Sequence, residues 1–241
     1  MNNTLDIETS MDTLQTNFAE LLARREVVIP ESGILAGPIY PVRAMIEAGF
    51  LRSDSCGWDN AHFPLNYGLL MHEGIPGIIE RASRSKEGLS QAQQAYRALI
   101  AESWREIGEY ILRHAELAES LAAKDPKDAA RLLRIARNCR AIATRAPERF
   151  EEGIQLFWFI WRLRSTYTSC IGRMDVHLRE LYERDVPAHT SREEALDLLC
   201  ELWERLNDVY MGDTLMNVML GGVDEAGNDV SNREDFYKVL L

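Results

Sequence analysis

The chain has 241 residues, with 27 Lys or Arg and 38 Asp or Glu, so its formal net charge is −11. Hydrophobic residues make up 46% and charged residues 27%, as is typical of a soluble globular protein with one large or two small domains. The acidic balance argues against a nucleic-acid-binding protein and against binding to an anionic membrane. The first ten residues lack the basic start and apolar run of a secretion signal. No two cysteines form a C-x-x-C pair, so we expect reduced thiols in a cytoplasmic protein.

The N-terminal part of the chain combines a predicted helix with irregular segments. A stripe of apolar residues from Met11 to Leu22 follows the N-cap candidate Ser10 and predicts an amphipathic helix. Two short apolar runs, 27–29 and 34–36, are interpreted as strands or extended segments. Residues 56–64 predict an irregular loop.

Several helices are predicted in the middle of the chain. Their start signals are Pro64, Ser90, Asp125-Pro126 and Ala146-Pro147. Gly74 is expected to end the first helix, and Pro76 suits the first turn of the next. In the last helix, residues 154–161 are apolar on nearly every side, which is typical of a helix buried all round. This run is too short to span a bilayer, which needs about 20 residues.

The C-terminal part predicts two more helices and a strand. Ser191 and Glu194 form a capping box at the start of a helix. Residues 214–220 predict a buried strand, which needs partner strands. A second capping-box pattern at 231–234 begins a helix on which the chain stops, uncapped, on apolar residues. These features predict that the chain is the N-terminal piece of a larger protein, in which the helix at 153–163 and the strand find their partners.

Motifs with a known chemistry are few. No Cys/His cluster predicts a zinc site, and the sequence contains no phosphate-binding glycine loop and no G-x-S-x-G motif. His114 and His177 are expected to be partly buried structural residues of helices, and His189 a solvated loop residue. The residue patterns therefore assign no catalytic residue and no metal ligand.

The four cysteines are divided by their predicted surroundings. Cys139 and Cys200 fall on apolar helix faces and are expected in the core, whereas Cys56 and Cys170 are expected in loops.

Two segments at the starts of predicted helices are candidate binding sites. The stretch Asp59–Pro64 brings His62 close to a helix N-terminus, whose free N–H groups favour an anionic ligand. The competing interpretation is a turn with hydrogen bonds from Asp59 or Asn60. In the second segment, Arg173 and Asp175 follow a glycine, and we favour a structural ion pair and cap there.

Short motifs follow one another in a specific order along the chain. They are Val27–Pro30, Gly33–Gly37, His62–Pro64, Gly74–Ile79, Ala146–Trp158, Gly172–Asp175, Tyr182–Asp185, Glu194-Ala195 with Leu202-Trp203, Met219–Gly222 and Gly227–Asn232. In order and spacing they resemble the N-terminal part of the glycyl radical enzymes, the pyruvate formate-lyase-like family, over most of residues 20–241.

The resemblance implies a fold that is mainly α with a few strands, the N-terminal part of a ten-stranded α/β barrel. Residues 1–241 would be a partial domain, truncated before the catalytic cysteine and glycyl radical loops. In this family a backbone glycyl radical takes hydrogen from a cysteine, and the resulting thiyl radical attacks the substrate. A separate iron–sulfur activase that uses S-adenosylmethionine installs the radical. No cysteine here precedes Val-Glu and no Arg-Val-x-Gly loop occurs, so none of the four cysteines inherits the thiyl role and this chain binds no cofactor.

The resemblance assigns one site residue. His62 matches a position near the substrate in dehydratase-type members and is expected to bind substrate. The match is incomplete, because the stretch before His62 is shorter than in the family, and Leu65-Asn66 replaces the usual acidic residue after the proline. We expect a fragment of a radical lyase or dehydratase of anaerobic metabolism that acts on a small polar substrate, and we expect this chain to be inactive alone.

Two alternatives remain open at the level of the sequence. The chain could be a non-catalytic helical interaction module that melts cooperatively, whereas a fragment is expected to aggregate or pack loosely. It could also be one half of a split enzyme. The expected partners are the activase and a small-molecule substrate, with no nucleic acid and no membrane, and a homodimer is compatible with the sequence.

Overall fold

The structure, a computed structural model, describes residues 18–38, 65–163, 169–208, 216–223 and 226–229. The helices are α1 (18–24), α2 (Tyr67–Ser83), α3 (Gln91–Lys124), α4 (Ala129–Thr144), α5 (Phe150–Leu163), α6 (Met174–His177), α7 (Arg179–Asp185) and α8 (Arg192–Asp208). The strands are β1 (Ser169–Gly172) and β2 (Met216–Val218). The part of the chain that is described is therefore mainly helical, as predicted. No described helix combines the length and the apolarity that crossing a membrane would require.

Helix α5 lies at the centre of the core. Its apolar side chains from Phe150 to Ile160 are at most 5% exposed, because α2, α4, α7 and α8 all pack against it. The prediction of a helix buried all round is confirmed. The expectation that this helix lacks partners within the chain is wrong, since helices on both sides of it in sequence supply them.

Two buried carboxylates fix the start of α5. Glu152 accepts hydrogen bonds from Arg145 at 2.7 and 2.8 Å and from the backbone N–H groups of Glu148 and Arg149 at 2.8 and 3.1 Å. Asp185 accepts the N–H of Phe150 at 3.0 Å. The free donors at this end are satisfied by side chains, so residues 146–149 remain non-helical. The start predicted at Ala146-Pro147 is therefore too early.

The start of α4 is also later than predicted. Asp125 ends α3, and its carboxylate accepts the N–H of Lys127 at 3.0 Å, which makes a turn instead of a helix start. Asp128 is the N-cap residue of α4.

The other predicted helix starts agree well with the structure. Ser90 begins α3 with a capping box to Gln93, and the capping box of Ser191 and Glu194 begins α8. Gly74, which was predicted to end a helix, instead forms a kink with φ +62° within α2, and the helix continues through Pro76 to Ser83. The stripe that begins at Met11 is described only from residue 18, where it is helical.

The two strands form a parallel pair joined through α6, α7 and α8. Ser169 is opposite Met216 and Gly172 is opposite Val218, with an irregularity in register between Cys170 and Gly172. The predicted strand at 214–220 is therefore shorter in the described residues, and it has a partner that sequence reasoning missed. Cys170, which was expected in a loop, belongs to β1. Residues 27–29 and 34–36 form no described strand.

Candidate functional site

The carboxyl ends of the parallel strands β1 and β2 lie side by side. Parallel strands typically present ligand-binding groups beyond these ends. β1 ends at Gly172, with φ +73°, and β2 is followed by Gly221 and Gly222, with φ +80° and +87°. These left-handed conformations suit glycine and allow the backbone after each strand to turn sharply away from the strand pair.

An ion pair joins the two turns. Arg173 donates to the Asp175 carboxylate at 3.1 and 3.2 Å and to the carbonyl of Val223 at 3.1 Å. Asp175 is buried and also accepts the N–H of Gly221 at 2.8 Å. The predicted structural ion pair is confirmed, but neither side chain caps α6. Both charges are used in holding the turns together, which favours a structural role.

A tyrosine and a histidine lie beside this ion pair. The ring of Tyr67, the first residue of α2, is buried 4.6 Å from that of Phe157 and 6.3 Å from that of His177. A Cβ on Gly68 would lie 3.2 Å from Nδ1 of His177, so the glycine allows the imidazole to approach α2. Burial lowers the pKa of His177, and the charge of Arg173 adds to this while Asp175 opposes it. The imidazole is therefore neutral at pH 7 and able both to donate and to accept a hydrogen bond.

The predicted site residue His62 lies outside the described residues, as do Asp59, Asn60 and Cys56. What the structure describes is the helix that follows them. Asn66 caps α2, and its side-chain oxygen accepts the N–H of Leu69 at 3.0 Å.

Four other predicted positions are described. His114 is fully buried, beyond the partial burial that was expected, and His189 is exposed, as expected. Cys139 is buried, as expected, and burial raises its thiol pKa. The placement of Cys200 in the core is wrong, because Cys200 faces solvent while Leu199 and Leu202 supply the buried face of α8.

Side chains from α5 and α8 hold the irregular segment 30–38. Gln155 accepts the N–H of Ala36 at 2.7 Å and donates to its carbonyl at 3.1 Å, as a neighbouring strand would. The Glu201 carboxylate accepts the N–H groups of Ile34 and Leu35 at 2.8 and 2.9 Å. Sequence reasoning missed both side chains. Gln155 was nevertheless detectable, because it is the polar residue within the apolar run 154–161.

Arg131 of α4 completes these contacts. It donates to the carbonyls of Pro30 and Gly33 at 3.0 and 2.9 Å and also pairs with Asp128. Three helices therefore fix the backbone that leads into residues 39–64, where His62 is located in the sequence.

Comparison with known proteins gives these features a context. Residues 36–238 match the family model described as pyruvate formate lyase-like. The chain belongs to this family of glycyl radical enzymes. The probable dehydratase YbiW of Escherichia coli is 30% identical over 198 residues, which are 74% of this chain and 23% of that protein. The (2S)-3-sulfopropanediol dehydratase of Klebsiella oxytoca is 30% identical over 201 residues, which are 71% of this chain and 24% of that protein.

A solved structure supports the fold. A glycyl radical enzyme from Archaeoglobus fulgidus matches all of this chain and 42% of its own chain, with a TM-score of 0.75 and 18% identity. The chain spans about a quarter of the length of the curated relatives it matches.

The residues present do not fit the radical pair of the family. The four cysteines precede Gly57, Arg140, Ile171 and Glu201, so none stands in a Cys-Val-Glu motif, and the sequence has no Arg-Val-x-Gly loop. Of the two cysteines whose side chains are described, one is buried in the core and the other lies on the outer face of α8. We therefore derive no radical step through this chain's own residues.

Proposed function

We propose that this chain forms part of a radical dehydratase or lyase, and that the complete enzyme acts on a small polar substrate under anaerobic conditions in the cytoplasm. The observation that carries the proposal is the match of most of the chain, at 30% identity, to two curated proteins that are named dehydratases. The dehydratase branch is favoured over the formate-forming branch for this reason.

In this proposal the chain contributes scaffold and one wall of the substrate site. β1 and β2 would be neighbouring strands of a ten-stranded barrel, with residues 1–241 as a partial domain. His62 would contact the substrate. The contacts to residues 30–38 support this role, because they fix the backbone that enters the segment containing His62.

The radical chemistry would reside in other residues of the complete enzyme. A glycyl radical there would be installed by an activase that uses S-adenosylmethionine and an iron–sulfur cluster. The cysteine contexts described above support this division, since none suits a thiyl radical. This chain alone is then expected to be inactive.

An activation experiment tests the proposal. The chain is incubated anaerobically with the activase of a dehydratase relative, S-adenosylmethionine and a reductant, and its EPR spectrum is recorded. We expect no glycyl doublet, whereas the Klebsiella oxytoca dehydratase, treated with its own activase, gives one. A doublet that arises on this chain would overturn the proposed division of roles.

The role of His62 needs a complete enzyme that contains this sequence. After activation, the enzyme is offered small vicinal diols, and aldehyde formation is measured. His62→Ala is expected to lower kcat/KM by at least about 100-fold, as is usual for loss of a group that acts on the substrate in the transition state. The control His189→Ala, at an exposed loop position, is expected to leave kcat/KM unchanged.

A second candidate is a helical module without chemistry, or one half of a split enzyme. The observation that favours it is the packing of α5, which finds helical partners within this chain on both sides of it in sequence. Affinity purification of the chain from its own cells separates the helical module from the split enzyme. A split enzyme co-purifies with a second chain that contains the glycyl radical loop, whereas a helical module does not.

A further inference from the structure

Three arginines lie buried near the C-terminal end of α5. Arg25, Arg162 and Arg205 are only 7%, 5% and 4% exposed. Arginine is rarely buried to this extent unless a negative charge accompanies it. Arg205 has such a partner in Glu201, at 2.8 Å. Arg25 has no carboxylate within ion-pair distance among the described residues, and its Nη2 donates to the carbonyl of Arg162 at 2.7 Å.

Two indoles pack against this positive charge. The rings of Trp158 and Trp161 are stacked, with centroids 5.9 Å apart and planes at 17°. The guanidinium carbon of Arg162 lies 5.7 and 5.9 Å from the two ring centroids. That of Arg205 lies 5.6 Å from the centroid of Trp158. Burial lowers the pKa of Arg162 to about 10, and the positive charge of Arg25 acts in the same direction while Tyr110 opposes it.

The same cluster contains buried donors without acceptors. Nε of Arg25 and both indole nitrogens are buried, and none has a hydrogen-bond partner in the part of the chain that is described. An indole N–H can only donate, and so can a guanidinium N–H. A native protein seldom leaves such groups unpaired, and each one calls for an explanation.

We propose that Arg25, Trp158, Trp161 and Arg162 form a binding site for a small organic oxyanion, a carboxylate or a sulfonate. Such a group supplies several acceptor oxygens for the three unpaired donors and a negative charge for Arg25. Trp161 is only partly buried, so the cluster reaches the surface on that side. The site is independent of the proposed radical chemistry.

Indole N–H resonances give a direct test, because their shifts respond to a new acceptor. The ¹⁵N-labelled 241-residue chain is titrated with sodium acetate and, separately, sodium methanesulfonate, with sodium chloride replaced to keep ionic strength constant. The five indole peaks are assigned with single Trp→Phe variants. We expect the peaks of Trp158 and Trp161 to move to lower field along one saturable curve, and those of Trp104 and Trp203 to stay in place.

Matched variants locate the site. Arg25→Met and Arg162→Met are each expected to raise the Kd at least about tenfold, because a charged hydrogen-bonding group is lost. The control Arg105→Met, at an exposed arginine paired with Glu102, is expected to leave the Kd unchanged. If Arg25→Met fails to fold, Arg25→Lys keeps the charge, removes the forked donor and is expected to raise the Kd less.

Two outcomes would overturn the proposal. Shifts that grow linearly and equally in all the indole peaks would mean an adventitious ion only. No shift at Trp158 and Trp161 would mean that the cluster is a purely internal contact that secures the end of α5. Neither outcome depends on activation, so both are distinguishable from failure of the proposed function.

Discussion

His114 of α3 is a fully buried histidine in contact with two aromatic rings. Its Nδ1 lies 2.9 Å from the carbonyl of Tyr110, and its ring lies edge-on to those of Tyr110 and Phe159, with centroids 4.7 and 4.8 Å away. Burial lowers the pKa of His114 from 6.5 to about 4, with smaller contributions in the same direction from Arg113 and Arg25. The hydrogen bond to Tyr110 opposes this change.

This histidine predicts a dependence of stability on pH. Because the folded-state pKa is the lower one, the unfolded chain binds more protons between about pH 4 and pH 6.5, and stability falls as the pH falls through that range. One pKa unit is worth about 1.4 kcal/mol, so on the order of 3 kcal/mol is lost by pH 4. Urea unfolding at pH 7, 5.5 and 4.5 measures the loss.

The variant His114→Leu is expected to lack this contribution, so its unfolding free energy is expected to depend less on pH than that of the parent chain. The matched control His189→Leu, at an exposed position, is expected to retain the parent's pH dependence. Parallel pH profiles for the parent chain and His114→Leu would contradict the assignment.

Single residues were predictable where the local pattern determines their surroundings. Burial of His114 and Cys139 follows from their place on the apolar stripes of α3 and α4. Cys200 was misplaced because it follows Leu198 and Leu199 directly in the sequence but points away from the face that they share. Contacts such as that between Gln155 and Ala36 join residues 119 positions apart, and no local pattern encodes their geometry.

At the scale of elements, Gly74 makes α2 a bent helix. It adopts φ +62° and ψ −177°, and a Cβ there would lie 2.6 Å from the Cα of Ala146. The obstacle is backbone, so it cannot move aside as a flexible side chain would. Gly88, between α2 and α3, has φ +76°, and a Cβ there would meet no atom of the described residues within 4 Å.

These two glycines differ in what an added Cβ would meet. We predict that Gly88→Ala lowers the free energy of unfolding by about 1–2 kcal/mol, the cost of a left-handed conformation. Gly74→Ala is expected to lower it by about 1–3 kcal/mol more, because it adds overpacking against Ala146 in a backbone conformation that only glycine adopts readily. Denaturant titrations of the two variants give both values, and equal losses would show that the approach of Ala146 is unimportant.

Elements were predicted better by type than by boundary. The helices follow from apolar spacing and capping boxes, whereas the helix end predicted at Gly74 is a kink within one helix, α2. The starts of α4 and α5 were placed too early, because Asp125 and Glu152 satisfy the local backbone in ways that a start signal does not reveal. β1 was missed because it is only four residues long and mixes polar with apolar residues.

At the scale of the whole molecule, the core surrounds α5, to which helices from both halves of the sequence contribute. We therefore predict cooperative unfolding of the isolated chain, with a calorimetric enthalpy close to the van't Hoff enthalpy. Differential scanning calorimetry combined with light scattering tests this. Because α5 has partners within the chain, both a fragment and a free-standing module are expected to unfold cooperatively. A cooperative transition therefore does not distinguish these two alternatives.

Two substitutions, one at a buried and one at an exposed position, test how tightly this core is packed. Phe157→Ala is expected to destabilise the chain by about 3–5 kcal/mol, as is usual for a large buried aromatic residue. Leu133 is 50% exposed, and Leu133→Ala is expected to change stability by no more than about 0.5 kcal/mol. A broad transition that responds equally to both substitutions would indicate a loosely packed interior.

The side chains that hold residues 30–38 allow the sequence that follows them to vary. Arg131, Gln155 and Glu201 fix the backbone as far as Ala36, and Asn66 begins α2 with its own cap. Lengthening a segment between two such fixed points costs little, about 0.6 kcal/mol for each doubling. We therefore expect the chain to tolerate changes in the length of the sequence between these anchors while the helical frame stays as it is.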